Sequence, residues 1–458
     1  MIFKQMVLSG LFTASLISVP AMAVIDKSQA AKLGTELTPM GANPAANTDG
    51  SIPAWSGKTV GLPAGLKYDG PGSVYPNPYA SEKPLLVVTS ANAEQYKEFL
   101  NDGMLAMLKK YPNYSIPVYP THRDFRYTDN QQARTKWNVG NAKLVNGIDG
   151  LQQTTGGAPF PIPEIGAHVI WNARSTQPIP VAEATYDEVA VFSDGKQQRF
   201  RNKLLIESPY AYASHPIGKV AEEIGDIAAY VYYEVLEPKR KKGERVIVHE
   251  PLDQVKHDRK AWVYLPGMKR VKRAPDAGYD IPVGPGKLLT ADDTMGFNGA
   301  MDRYDWTLVG KREMFVPYHN YDFDTPTVKF KELLTPKVVN PDYMRYEKRR
   351  VWVVEANLKD GKRHIYAKRR FYMDEDSWLI VATESYDGRG ELWRVGFQNT
   401  LYDYFLKAYI ARAQVNYDLQ ANAYVAVRLV NESKPTNYDM KPKGDDFYTP
   451  QNLRRMGR

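Results

Sequence analysis

Residues 351–399 read VWVVEANLKDGKRHIYAKRRFYMDEDSWLIVATESYDGRGELWRVGFQN. Four alternating runs stand in this stretch: Val351 to Ala356, His364 to Met373, Trp378 to Ser385 and Leu392 to Asn399. Lys359-Asp360-Gly361-Lys362, Asp374-Glu375-Asp376 and Asp387-Gly388-Arg389-Gly390 separate them. Asp-Gly between alternating runs is the strongest short-range hairpin signal, so the stretch predicts an antiparallel meander. In the second run one parity gives Ile365, Ala367, Phe371 and Met373, and the other gives His364, Tyr366, Lys368, Arg370 and Tyr372. Trp393, Val395 and Phe397 share a face against Arg394 and Gln398. Side chains alternate between faces of a strand, so a dry inside and a wet, basic outside are expected.

The same period extends outward after about residue 180. Tyr230, Tyr232 and Leu236 alternate with Val231, Tyr233 and Val235, and a basic turn from Lys239 to Glu244 leads to Arg245-Val246-Ile247-Val248. Trp262 to Leu265 reads as a strand broken at Pro266-Gly267 and resuming towards Val271, and Ala423 to Val430 adds another. A sheet of roughly ten or more such strands must curl or close to protect its edges. The fold class expected is mainly β with minor α: a large antiparallel open β-barrel with a helical insert and a long extended N-terminal arm. Its inside is either filled by side chains or holds a ligand.

Three segments break the pattern. Residues 39–84 carry 8 Pro and 7 Gly, a density that no regular element survives, so 24–90 is expected to be an extended arm wrapping the body or a partner. Asn92, with Gln95 three residues on, predicts a helix start. Tyr96, Phe99, Leu100, Met104, Met107 and Leu108 form its stripe, and Pro112 ends it. This helix and the irregular chain to residue 180 are assigned to a region packed on the barrel, with the body spanning 181–458. Within the body, 288–306 (LLTADDTMGFNGAMDRYDW) interrupts the β-period, and Asp292-Asp293 can cap a short helical turn. Met295, Phe297, Met301 and Trp306 supply large apolar groups. Because Met adapts to varied shapes, the insert suits a lid over a cavity; a fixed core-filling insert is the alternative.

The first 23 residues carry Lys4, an apolar run from Val7 to Val19 and Ala21-Met22-Ala23. Together these read as an export signal cleaved after Ala23. With no cysteine in the chain, neither a disulfide nor a lipidated N-terminus can form. A soluble periplasmic protein is expected, away from ATP, NAD and cytosolic phosphoryl chemistry. Net charge is +8, from 60 Lys+Arg against 52 Asp+Glu. The surplus lies in short clusters at 239–242, 269–273, 348–350 and 368–370, which read as solvated faces or contacts to an anionic membrane surface rather than to nucleic acid.

The usual catalytic signatures are missing. No Gly-x-Ser-x-Gly elbow occurs, no Cys nucleophile exists, and the seven His (122, 168, 215, 249, 257, 319, 364) include no His-x-x-x-His pair. Asp292, Asp293, Asp302 and Asp305 lack the alternating spacing of a Ca²⁺ loop. No catalytic residue, metal or cofactor is therefore named.

Several segments together resemble one exported family. They are Leu37 to Ala42, Asn47 to Trp55, Val118 to Arg123, Phe160-Pro161-Ile162-Pro163, Trp262 to Gly267 and Tyr448 to Arg455. That set is similar, over the whole chain after the leader, to the proteobacterial domain of unknown function 1329. The order of the second half, from the Trp262 strand through the insert to Tyr366–Leu379 and Asp387–Leu392, resembles the LolA/LolB-like lipoprotein-sorting half-barrels. The resemblance implies a carrier of a lipid or other hydrophobic molecule and, as partner, an RND-type exporter or an outer-membrane protein. The candidate lining and lid are Trp262, Tyr264, Met295, Phe297, Met301, Trp306, Phe371, Trp393 and Phe397. A non-catalytic accessory subunit with a solid barrel and a hydrolase of envelope glycan or lipid stay open beside the carrier.

Overall fold

A computed structural model describes residues 25–58, 62–225, 227–253, 256–257, 259–274 and 279–457. The leader and its cleavage site lie outside them. Fifteen strands form one sheet: β1 (Leu86–Val88), β2 (Ile116–Tyr119), β3 (Val181–Val191), β4 (Gln197–Glu207), β5 (Ile227–Glu237), β6 (Arg245–Pro251), β7 (Lys260–Leu265), β8 (Arg270–Arg273), β9 (Tyr304–Pro317), β10 (Tyr346–Leu358), β11 (Lys368–Asp374), β12 (Ile380–Tyr386), β13 (Leu392–Asp403), β14 (Ala408–Asp418) and β15 (Ala423–Leu429). Their order is β1-β2-β10-β11-β12-β13-β14-β15-β3-β4-β5-β6-β7-β8, with β9 on β10. Every pairing is antiparallel except β2 with β10. The path does not close on itself, so the molecule is mainly β with an open, curled sheet. Three helices of nine or ten residues precede β3: α1 (Asp102–Lys110), α2 (Asp129–Asn138) and α3 (Gly166–Ser175).

The meander of 351–399 forms with its hairpins as read, but the second strand starts at Lys368 rather than His364. The expected single helix at 92–111 is two pieces. A 3₁₀ segment, Ala93–Phe99, ends at extended Leu100. Helix α1 then starts under Asn101, whose Oδ1 accepts the Met104 N–H at 2.7 Å. Asn92 makes no side-chain cap. The break lets α1 press onto β13: a Cβ on Gly103 would sit 2.6 Å from Val395 Cγ1, so only glycine fits. Glu384 on β12 accepts the Gly103 N–H at 2.7 Å. Six strands that the sequence reading did not single out, β1, β2, β3, β4, β9 and β14, complete the sheet, and β9 begins inside the stretch assigned to the insert.

The expected basic outside is the main correction. On β10 and β11, Lys368 and Arg370 of the outward parity are half-buried, while Lys348, Arg349 and Arg369 are buried. Both faces there are covered, so the charges survive only by pairing. Arg349 donates to Asp374 (2.9 Å), Asp376 (3.0 Å) and the His122 carbonyl (2.8 Å). The outer face of β4–β7 is covered too. Leu205, Tyr230, Tyr232, Ile247 and Tyr264 bury themselves under Tyr448 and Leu453 of the C-terminal tail, which ends in a helix over Pro450–Met456. Only the clusters at 239–242 and 269–273 are largely exposed, and the latter lies on edge strand β8.

The Pro/Gly-rich chain of 39–53 has few neighbours that can satisfy its carbonyls, and a guanidinium does so. Arg123, 1% exposed, forks onto Asp376 at 2.9 and 2.8 Å and donates to the carbonyls of Asn43 (2.7 Å), Ala45 (3.3 Å) and Pro53 (3.1 Å). Arg350 donates to the Ala45 carbonyl at 2.9 Å, and Trp378 Nε1 to that of Met40 at 2.9 Å. Arg123→Leu strips the Asn43 and Pro53 carbonyls of this donor and leaves the buried Asp376 carboxylate with Arg349 alone. It should cost about 3–5 kcal/mol in urea unfolding, as breaking buried pairs does. Arg123→Lys should recover only part, since one ammonium cannot span the fork and the arm.

Candidate functional site

Alternation places one parity of β3–β6 on an inner face that no helix fills. Register fixes the rungs: Ala182 opposes Ile206, Ile206 opposes Val231, and Val231 opposes Val248. The next rung runs Ala184, Leu204, Tyr233. Short side chains at Ala182, Ala184, Ala228 and Ala229 leave space that leucine or phenylalanine would fill. The result is a cavity of about 840 Å³, within the range of pockets that bury small ligands. The far wall comes from the end of α3 and the chain after it (Trp171 to Ile179), from Ala411, Arg412 and Gln414 on β14, and from Val427 to Val430. Pro282 and Lys287, both exposed, line it where it meets solvent.

The insert forms the rest of the boundary, and its acids anchor it. Thr290 caps a 3₁₀ segment over Ala291–Gly296, and Asp293 completes the capping box by accepting the Thr290 N–H at 2.9 Å. Arg369 donates to Asp292 and to Asp293, each at 2.7 Å, and Tyr366 donates to Asp293 at 2.9 Å. Burial opposes ionisation of Asp292, yet Arg369 and His364 hold its carboxyl below the usual range. The sequence reading gave Asp292-Asp293 only the cap; their larger role is to pin the insert to β11. Arg369 sits on the same parity as Phe371, inside the face expected to be dry.

Of the nine residues expected to line the cavity or its lid, Met295 and Phe297 do so. Phe297 packs at the boundary, its ring 5.0 Å from Trp306 and 5.6 Å from Phe371. Phe371 is fully buried beyond it. Trp306 donates to the Met301 carbonyl at 2.9 Å, and Met301, also fully buried, donates its N–H to Asp149 at 2.8 Å. Phe397 faces the other side of the sheet: it opposes Ala382, which opposes Tyr372 rather than Phe371. Trp393 donates to Asp418 at 3.0 Å and packs on Tyr366. Trp262 and Tyr264 belong to the outer face under the C-terminal tail, where the Tyr264 hydroxyl reaches the Gly457 carbonyl at 2.5 Å. These seven therefore build the frame, not the wall. The wall residues missed are small or ordinary strand formers, and their parity depends on register, which a single strand does not reveal.

Charges in the cavity fall into two groups. Near the β5–β6 turn, Glu188, Glu244 and Lys241 surround Tyr233, whose phenol is raised by burial and then by the two acids. Burial, with Asp187 adding to it, pushes the Glu188 carboxyl up to about 7. The second group is Arg412, which pairs with Asp324 at 2.6 Å, and Arg428, at the β15–β3 register shift beside Asp187 and Val189. Among the described residues no three His, Cys, Asp or Glu side chains gather as a metal site, and no helix is long and apolar enough to cross a membrane.

The sequence matches the family model described as protein of unknown function (DUF1329) over residues 87–454. An uncharacterized protein of Pseudomonas aeruginosa is 40% identical over 471 residues, covering 99% of each chain. Among solved structures, a DUF1329 family protein from Desulfovibrio piger is 16% identical with a TM-score of 0.40, covering 60% of this chain and 91% of that one. An outer membrane lipoprotein-sorting protein domain from Vibrio parahaemolyticus is 14% identical with a TM-score of 0.40, covering 60% and 92%. A LolA superfamily protein from Nitrosomonas europaea is 11% identical with a TM-score of 0.38, covering 63% and 98%.

Two measurements separate frame from wall. Phe371→Ala should cost about 3–5 kcal/mol in denaturant unfolding, the range for buried Phe truncations. Leu204→Ala, facing open space, should cost under about 2 kcal/mol, because little packing is lost beyond transfer. Glu188 gives a pH signature. Its folded pKa is raised from the ordinary 4.5 to about 7, so the protonated form favours folding. That contribution is complete below 4.5 and is lost as pH rises through about 7. Glu188→Gln should flatten this decline, leaving the variant more stable than wild type above pH 7 in urea titrations.

Proposed function

The chain belongs to the DUF1329 family, and from that premise we propose that it is a carrier that holds a lipid or another hydrophobic molecule inside the β3–β6 cavity. The observation that carries this reading is a hollow of about 840 Å³ walled mainly by Ala, Val, Leu, Ile, Tyr and Phe side chains. A protein interior is ordinarily close-packed, and side chains that line a cavity of this size make fewer contacts with one another than those of a filled core. A ligand that fills it adds contacts, so burial of the cargo's apolar surface is the driving force. The solid packing around Phe297, Trp306 and Phe371 holds the far boundary fixed while the wall stays accessible from the 282–287 side. In this reading the carrier works in the periplasm and delivers its cargo to an RND-type exporter or an outer-membrane protein. The exposed cations at 269–273 supply a first electrostatic contact with an anionic surface.

Two experiments test the carrier directly. Organic extraction of gently isolated protein, followed by mass spectrometry, should release an apolar molecule in near-stoichiometric amount. Ala184→Trp, which places an indole on the inner rung, should lower uptake of a hydrophobic fluorescent probe by about tenfold or more while shifting stability by less than about 1 kcal/mol. A wild-type protein that yields no extract and takes up no probe overturns the reading in favour of an accessory subunit.

A further inference from the structure

Arg428 is the anomaly of the cavity wall. It sits at the bulge where the β15–β3 register shifts between Ala426 and Leu429, and its φ of 60° is one that side chains other than glycine rarely adopt. Met295, which its guanidinium touches through Sδ, carries a φ of 58°. Two neighbouring left-handed residues on one wall are a cost that persists only where the surroundings over-determine it, and such sites cluster where ligands bind. The strain turns a long cation into an apolar hollow.

The cation is poorly answered by the protein. Its Nη2 donates to the neutral Gln398 Oε1 at 2.9 Å, and Nε is buried without a partner. Among the described residues no carboxylate forms an ion pair with it. Arg412 adds to the imbalance: Asp324 takes its Nε, Thr436 and Tyr438 take its Nη1 at 2.8 Å each, and its buried Nη2 has no acceptor. Burial and then the Arg412 charge lower the Arg428 guanidinium to about 10, so it stays protonated at neutral pH. Among other buried arginines, Arg123, Arg349 and Arg369 each hold carboxylates, and Arg134 is met by the carbonyls of Thr155, Tyr212 and His215. A buried charge without a counter-charge is expensive.

We propose that Arg428, with the Arg412 charge beside it, receives the oxyanion head of an acidic amphiphile whose apolar body lies along the β3–β6 wall. This rests on the carrier reading and narrows its cargo to a molecule with one anionic, oxygen-bearing end, a carboxylate or a phosphate.

The test uses the full chain and cis-parinaric acid, whose fluorescence reports apolar burial, against its methyl ester. Wild type should bind the acid about tenfold or more tighter than the ester, the size of one charge-assisted hydrogen bond. Arg428→Gln should shrink that gap to less than about threefold, while Arg428→Lys keeps most of it. Competition with hexadecyl phosphate against palmitate then assigns the head: stronger displacement by the phosphate names a phosphate amphiphile, and the reverse names a carboxylate. Equal binding of acid and ester by wild type overturns the proposal and leaves the carrier standing. So does a full gap in a folded Arg428→Gln protein. If neither probe enters wild type, the carrier reading falls and this proposal falls with it.

Discussion

Paired arginines in a dry interior are the constraint on which the rest of this fold depends. A sheet of fifteen strands satisfies its own backbone, but the segments laid over it have no ladder to offer. A guanidinium carries five donors in a rigid fork, which suits it to hold a carboxylate with one side and loop carbonyls with the other. Arg123 does this for the arm, Arg349 for the chain around His122, and Arg369 for the insert. Such pairs add little net stability over a hydrophobic replacement, yet losing one partner is costly. Their contribution is positional: they decide which loop sits on which strand.

That division explains why one half of the sheet is solid and the other hollow. Around β10–β13 the arm, α1 and the pinned insert cover both faces, and aromatic side chains fill what remains. Around β3–β6 the C-terminal tail covers the outer face only. The inner face meets α3 at its edge, and short side chains at Ala182, Ala184, Ala228 and Ala229 interrupt its larger ones, so its curvature encloses space. The boundary between the two regimes is a single ring, Phe297, which touches Trp306 and Phe371 on one side and the cavity on the other.

The legible part of this structure was the part governed by local rules. Asp-Gly turns and period-two alternation gave the meander, the β5–β6 hairpin and the break at Pro266-Gly267, because turn chemistry and pleat are properties of a few adjacent residues. The core of α1 was visible through Met104, Met107 and Leu108, but its start was not, since Asn101 and Asn92 are equally plausible caps until Gly103 is seen against Val395. The cavity was largely hidden. Phe371 and Phe397 have the same apolar character, and only the register through Thr383 and Ala382 puts them on opposite faces. Arg369 resembled a solvated strand residue because its partners lie 76 and 77 positions away. Hydrophobicity pointed to the largest aromatics, whereas the hollow is made by the smallest residues.

The wall of the cavity uses one parity of four strands, and the tail-bound outer face uses the other. Those two sets of positions interleave along the chain yet answer to different demands. Outer positions are held by the fit to Tyr448 and Leu453, while inner positions border space and touch few neighbours. A family built this way can drift at every second residue of β3–β6, enlarging, narrowing or recharging the hollow, without disturbing the ladder or the tail. Diversification of cargo among relatives would then leave its trace as an alternating pattern of variable and constrained sites along these four strands.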